Sequence, residues 1–278
     1  MIRNMLVIDA HCHIYPPKIA GKAAEGTARF YDTKTFYDGT VASLIADGRE
    51  SAIDGYVVQS VATAPKQVSS INRFIAEEVR KSGGRLFGLG TLHPYSPTLE
   101  RDVEELVRLG LHGVKLHPDI QKVRVDDPCC MKIYELCRGK LPILIHTGDK
   151  RYDYSNPNRL VPVLKAFPDL TVIGAHLGGY SVWDDAYDKL KGIDNLFFDC
   201  CSSLTFLDRD KAAEIIRGYG TERVMFGSDY PMWSPKIELD KLMALGLKDS
   251  EYDRILGKNA LRIYNWKTGP LKSSGKDQ

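Results

Sequence analysis

The sequence has little surplus charge of either sign. Lysine and arginine number 38 and aspartate and glutamate 36, a formal net charge of +2 at pH 7. A basic field able to hold nucleic acid or an anionic membrane is missing, so neither is expected as a partner. Long apolar runs are missing as well. No stretch approaches the ~20 apolar residues of a membrane span, and the run at 5–8 meets Asp9 before it reaches the length of a secretory core. There is no C-x-x-C. The six cysteines, Cys12, Cys129, Cys130, Cys137, Cys200 and Cys201, fit neither a disulfide framework nor a thiolate zinc site. Reduced, mostly buried thiols in a cytoplasmic protein are the expectation. No G-x-G-x-x-G follows the first apolar run, which counts against a dinucleotide-binding fold.

What remains is an ordinary globular composition, 43% apolar and 27% charged, in a chain of 278 residues. That length suits either two small domains or one α/β barrel. Eight short β-branched or near-continuously apolar runs recur: LVIDAHCHI, DGYVVQSVA, RLFGLGTLHP, LHGVKLHP, LPILIHTG, LTVIGAHLGG, NLFFDCC and RVMFGSDYP. Such runs read as strands covered on both faces. Between them, segments 41–50, 68–81, 99–109, 130–137, 159–166, 183–190, 211–219 and 237–245 carry apolar residues at three- and four-residue spacing. Most strand-to-strand steps are about thirty residues, one βαβ unit. Eight units predict a closed single-domain (β/α)8 TIM barrel over 1–266. A last helix at 255–266 would close it, and a polar tail at 267–278 is expected to be disordered. The segment 14–40, after the first strand, reads as a long loop of the lid or binding kind.

The seven histidines are not scattered. His11 and His13 end the first strand, and His93, His117, His146 and His176 end the third, fourth, fifth and sixth. Asp229 ends the eighth, and only His112 sits at a strand's beginning. Functional residues of such barrels lie at the C-terminal ends of the strands. Residues two apart on a strand share a face, so His11 and His13 both point inward and Cys12 points out toward the helices. Asp9 shares that parity and reads as a lower-layer residue, or one orienting an imidazole, rather than as a ligand. Converging buried histidines are costly unless a divalent cation takes their lone pairs.

Five motifs, IDAHCH, GVKLHP, IHTG, AHLGG and FGSDYP, closely resemble the amidohydrolase superfamily, in particular its amidohydrolase-related (family 2) branch. They span nearly the whole folded chain. The resemblance implies a barrel and a divalent metal, usually zinc, with manganese or another ion as the alternative. It also implies hydrolase or non-oxidative decarboxylase chemistry on a small molecule. Carried over, it makes His11, His13, His146 and Asp229 the ligands of one ion. Asp229 is also a general base, and His176 contacts the bound water or substrate or joins the ligands. Lys115 lies where some relatives carry a carboxylated lysine between two metals; one ion is the expectation here. His117 is a further metal or substrate candidate, and His93 and His117 could equally cap strand ends. Arg151, Tyr152 and Trp183, with Tyr15, Arg29, Tyr31, Lys150, Tyr154 and Trp233 in the same kind of loop, are candidates for substrate binding, although each singly reads as a solvated loop residue. Hydrolysis of an amide, cyclic amide, lactone or ester is the leading expectation. Decarboxylation of an aromatic or unsaturated acid is the alternative. The oligomeric state is open, a homo-oligomer included.

Overall fold

The structure is a computed structural model that describes residues 5–267. The tail from 268 onward lies outside the described residues. In chain order the elements are β1 (Ile8–His13), α1 (Ala20–Tyr31), α2 (Val41–Glu50), β2 (Gly55–Gln59), α3 (Val68–Lys81), β3 (Leu86–Gly88), β4 (Gly90–Thr91) and α4 (Leu99–Arg108). Then come β5 (Val114–Leu116), α5 (Pro118–Gln121), α6 (Pro128–Cys137), β6 (Ile143–Ile145), α7 (Pro157–Ala166), β7 (Val172–Gly174), α8 (Trp183–Leu190) and β8 (Leu196–Asp199). The chain ends with α9 (Ser203–Phe206), α10 (Arg209–Tyr219), β9 (Val224–Met225), α11 (Pro235–Met243), α12 (Asp249–Asp253) and α13 (Asn259–Ile263). Every strand pair is parallel, in the orders β1-β2-β3 and β4 through β9.

β3 and β4 are two halves of one expected strand, interrupted at Leu89. The Leu89 N–H donates to Val58 O at 2.9 Å, and the Gly90 N–H donates to Gly113 O at 2.9 Å, so the same stretch joins both neighbours. Gly90 is required because a Cβ there would lie 2.4 Å from Leu106 Cδ1. The ring closes where the Ala10 N–H donates to Phe226 O and the Asp229 N–H to His11 O, each at 2.9 Å. Eight strand positions in a closed parallel ring, with helices outside, make the (β/α)8 TIM barrel.

Two apolar layers follow from strand alternation. Val58, Val114, Leu116, Ile143, Ile145 and Val172 face outward into the main core with the helices. Ile8, Ala10, Val57, Phe87, Leu89, Leu144, Ile173 and Met225 fill the barrel interior, with Ala260 and Tyr264 at its base. Each such buried aliphatic contributes about 1.5–3 kcal/mol, so the lower barrel is a packed floor on which the polar upper layer rests. Among the described residues no helix is long and apolar enough to cross a membrane.

The expected loop at 14–40 contains α1. Its buried face is Ala20, Ala24 and Ala28, a four-residue period of side chains too small to register as an apolar stripe. No side chain caps its N-terminus, no acid occupies its first turn, and Gly21 and Gly26 face open space. Each glycine costs a helix ~1 kcal/mol relative to alanine, so α1 is weak in its own right. Three expected helices begin two residues earlier than read, at Pro128, Pro157 and Pro235. Proline fits the first turn, where its missing N–H would have no partner.

Candidate active site

β1 carries an irregularity between Asp9 and Cys12. Ile8 and Ala10 face inward below it, and His11 and His13 face inward above it. Cys12 packs in the outer core, as its parity requires. Asp9 is thereby displaced from the imidazole face. Its Oδ1 accepts the backbone N–H of His11 at 3.2 Å and of Ser228 at 2.9 Å, so it braces the ends of two strands and orients no imidazole.

Asp199, the last residue of β8, takes that role. Its Oδ2 accepts from His11 Nδ1 at 2.8 Å and its Oδ1 accepts the His176 N–H at 3.0 Å. With the proton on Nδ1, His11 presents a bare Nε2 to the mouth. That atom lies 3.2 Å from His13 Nε2, and Asp229 Oδ1 lies 3.5 and 3.6 Å from the two. Donor atoms at the corners of a tetrahedron with metal bonds of about 2.1 Å are separated by about 3.4 Å. The triplet His11, His13 and Asp229 therefore has the spacing and the donor chemistry to hold one divalent cation.

Asp229 is fixed from three sides. It sits in the left-handed region (φ 63°), its N–H donates to His11 O, and its Oδ2 accepts from Ser202 Oγ at 2.7 Å. Ser202 in turn accepts from Trp233 Nε1 at 3.0 Å. His176 and Ser202 also adopt left-handed backbone, at φ 60° and 58°. Three non-glycine residues in that region at adjoining strand ends are strained positions held by their surroundings, as at functional sites.

His176 donates from Nδ1 to Cys201 O at 3.1 Å, and its Nε2 accepts from His146 Nδ1 at 2.9 Å. This departs from the expected ligand set. His146 spends its Nδ1 proton on His176, and its Nε2 faces Asp119 Oδ2 at 3.6 Å. It belongs to a neighbouring group with His117 and Asp119, its ring stacked on that of His117 at 4.0 Å. His117 both lines the mouth and caps α5, accepting the Ile120 N–H on Nδ1 at 3.3 Å. His93 only caps, accepting the Tyr95 N–H at 3.2 Å. His112 is exposed at the other end of the barrel, stacked on Phe87.

Lys115 is fully buried, and its Nζ lies 3.2 Å from His11 Nε2. Among the described residues it forms no ion pair. Burial pulls its ammonium below the ordinary lysine range. Burial also pushes the imidazoles of His11, His13, His117 and His146 well below their usual range, with Lys115 and neighbouring imidazoles adding to it. His176 is held down to about 4, again by burial. The mouth thus carries neutral imidazoles at pH 7. Burial raises the carboxyl of Asp229 to about 7, against the lowering effect of the Ser202 hydrogen bond and Lys115.

Above these groups opens a cavity of about 690 Å³. Its floor is His11, His13, Lys115, His117, His146, His176 and Asp229, and its walls include Tyr15, Ile19, Phe30, Tyr31, Val61, Ile71, Phe74 and Ile120. A second cavity of about 670 Å³ lies at the strand beginnings, against Phe87, His112 and Trp266, remote from this chemistry. Of the substrate-binding candidates, Tyr15 and Tyr31 line the mouth, whereas Arg151, Tyr152 and Trp183 do not. Arg151 is paired with Asp149 at 2.6 Å, Tyr152 stacks on Phe30 from outside, and Trp183 donates from Nε1 to His176 O at 3.0 Å, bracing that histidine from behind. Asp199, Ser202 and Asp119 escaped the sequence reading. Of these, Asp199 ends a strand just as Asp229 does, and the strand-end rule applied to LFFD would have found it.

Solved structures that share this fold include the following three. An uncharacterised TIM-barrel protein from Bordetella bronchiseptica is 20% identical (TM-score 0.75, 94% of this chain and 99% of the other). A 5-carboxyvanillate decarboxylase from Sphingomonas paucimobilis is 15% identical (TM-score 0.72, 95% and 100%). A dihydroxybenzoic acid decarboxylase from Polaromonas with bound manganese and 2-nitroresorcinol is 13% identical (TM-score 0.70, 96% and 99%). No protein with a curated description matches in sequence. The sequence model of the Amidohydrolase family matches residues 8–266, so the chain belongs to the amidohydrolase superfamily, in its family 2 branch.

Proposed function

We propose that this chain is a metal-dependent, non-oxidative decarboxylase of an aromatic or unsaturated carboxylic acid. The observation that carries the reading is Lys115, a buried amine that among the described residues forms no ion pair, at the floor of a largely apolar cavity. Burial disfavours its charged form, and an anionic ligand entering the cavity would favour it again. The aromatic and aliphatic walls suit a planar ring. Two of the structural neighbours reported above are decarboxylases of aromatic acids, which favours this reading over hydrolysis.

His11, His13 and Asp229 would hold one divalent cation. His176 Nε2 could join them only by giving up the hydrogen bond it accepts from His146, whose own Nε2 carries no proton. Nitrogen and carboxylate donors suit zinc and manganese alike. When bound there, the cation would act as a Lewis acid toward an oxygen of the ligand. The remaining work falls to the protein. Lys115 binds the negative charge and the walls exclude water. The C–C bond to the carboxylate breaks, carbon dioxide leaves, and the bonding pair stays on the substrate carbon. A proton from Asp229 then forms the new C–H bond. Burial raises this carboxyl and a neighbouring cation lowers it, opposing pressures suited to a group that takes up and gives one proton per turnover.

The test is a screen of the purified protein, loaded with manganese or zinc, against aromatic and unsaturated acids that include 2,6-dihydroxybenzoate and 5-carboxyvanillate. Carbon dioxide release, with deuterium from D₂O at the vacated carbon, is expected. Both should vanish in His11→Ala/His13→Ala. Release of amine or alcohol from an amide, lactone or ester panel without carbon dioxide from any acid would return the chain to the hydrolases.

A further inference from the structure

We propose that α1 is a lid over the catalytic mouth, latched by Arg151, and that it carries Tyr31 as a hydrogen-bond donor to an oxygen of the bound substrate. The second part rests on the reading above; the lid itself does not.

Ile19, Ala23, Gly26, Thr27, Phe30 and Tyr31, from α1 and the residue before it, form one wall of the cavity. No side chain caps the helix N-terminus, a Cβ at either of its two glycines would meet nothing, and its fully buried residues are all alanines. An element of that kind is a candidate for opening independently of the barrel. Arg151 ties its C-terminal end to the barrel. The guanidinium donates from Nη1 to Phe30 O at 2.6 Å and from Nη2 to Asp149 Oδ2 at 2.6 Å. Its centre also lies 5.1, 5.2 and 5.2 Å from the rings of Phe30, Tyr31 and Tyr152. Asp149 is buried and follows His146 by three residues, so the latch ties the lid to the loop after β6.

Tyr31 ends the helix with its hydroxyl inside the mouth. Its Oη lies 2.7 Å from His117 Nε2 and 3.3 Å from His146 Nε2. The direction of these bonds is set by the backbone. His117 Nδ1 accepts the Ile120 N–H, so the proton of His117 sits on Nε2 and is donated to Tyr31 Oη. The Tyr31 proton is then committed away from His117, toward His146 Nε2 and the space a ligand would take. A donor oriented in that way is suited to a carboxylate or phenolate oxygen. Opening the lid withdraws it, and closing the lid seals the substrate beneath Phe30 and Tyr31.

Access can be read without a substrate. Diethyl pyrocarbonate acylates accessible imidazoles, and peptide mass spectrometry resolves the sites. His117 and His146 are buried and His112 is exposed, so His112 serves as the internal reference. Arg151→Ala is expected to speed modification of His117 and His146 about fivefold or more, with His112 unchanged. Arg151→Lys should fall between, because a lysine can meet Asp149 but cannot span Phe30 O and the three rings. Tyr31→Phe provides a second route to the same opening. Equal rates at His117 and His146 in all variants would overturn the lid, even in an enzyme that decarboxylates. On the acid that the screen identifies, Tyr31→Phe should raise KM about tenfold, and an unchanged KM would remove Tyr31 from substrate binding. Faster modification in Arg151→Ala together with a failed acid screen would leave the lid standing and reject the decarboxylase.

Discussion

At the end of β8 one carboxylate serves two histidines. Asp199 accepts from the His11 ring through one oxygen and from the His176 backbone through the other. The first contact sets the tautomer that bares His11 Nε2, and the second helps hold His176 in its left-handed conformation. Asp199→Asn keeps the shape but puts an N–H₂ where one of the two acceptors must be. Cation affinity and turnover are expected to fall about 10–100-fold, with the fold retained by circular dichroism. Full affinity by calorimetry would show that His11 is oriented by something else. Asp199 touches neither cavity nor solvent. His11, His13 and Asp229 were legible because they end strands whose boundaries the apolar runs mark. Asp119 was not, since it ends no strand and reaches His146 from a one-turn helix whose path depends on packing.

The one-turn helix α5 shows how such an element places a side chain. His117 caps it, Pro118 opens it, and Lys122 ends it in the left-handed conformation, which turns Asp119 inward. Its Oδ2 accepts from Ser155 and its Oδ1 has no partner. Burial raises this carboxyl to about 7. In the unfolded chain it titrates near the ordinary value, ~3.9. Below about pH 4 both states hold the proton and the group is neutral to stability. Between 4 and 7 the unfolded chain loses its proton first, so the folded state is progressively disfavoured, and the penalty is complete above 7. Asp119→Asn cannot titrate. Thermal melts of metal-free protein should show the variant gaining Tm over the parent as pH rises from 5 to 8. A difference that does not change with pH would mean that Asp119 is not held in its neutral form. α1 was illegible for a related reason, because alanines carry the helical period without the apolar bulk by which such periods are read.

Across the whole molecule, stability and cation binding are linked. Several buried neutral imidazoles and a raised carboxyl meet in one mouth. An ion that binds the folded chain alone stabilises it by mass action, ~2.7 kcal/mol at a hundred times its Kd. For a chain of this size that is a Tm rise of about 5–10 °C. Manganese or zinc should produce it, and a chelator should reverse it. The same titration on His11→Ala/His13→Ala should be flat, and a rise there would place the ion elsewhere.

The run of strands and helices, the closed parallel ring and the gathering of histidines at one rim were determined by the sequence alone. Each depends on local periodicity and on the fixed alternation of side chains along a strand. Tertiary structure decided the rest. The irregularity in β1 moved Asp9 off the imidazole face, and packing of His146 against His117 and His176 placed it beside the His11 triplet rather than within it. Asp149 and the backbone of α1 drew Arg151 out of the pocket and made it a clasp. Such outcomes depend on which donor reaches which acceptor first among residues far apart in the chain, and no local period encodes that competition.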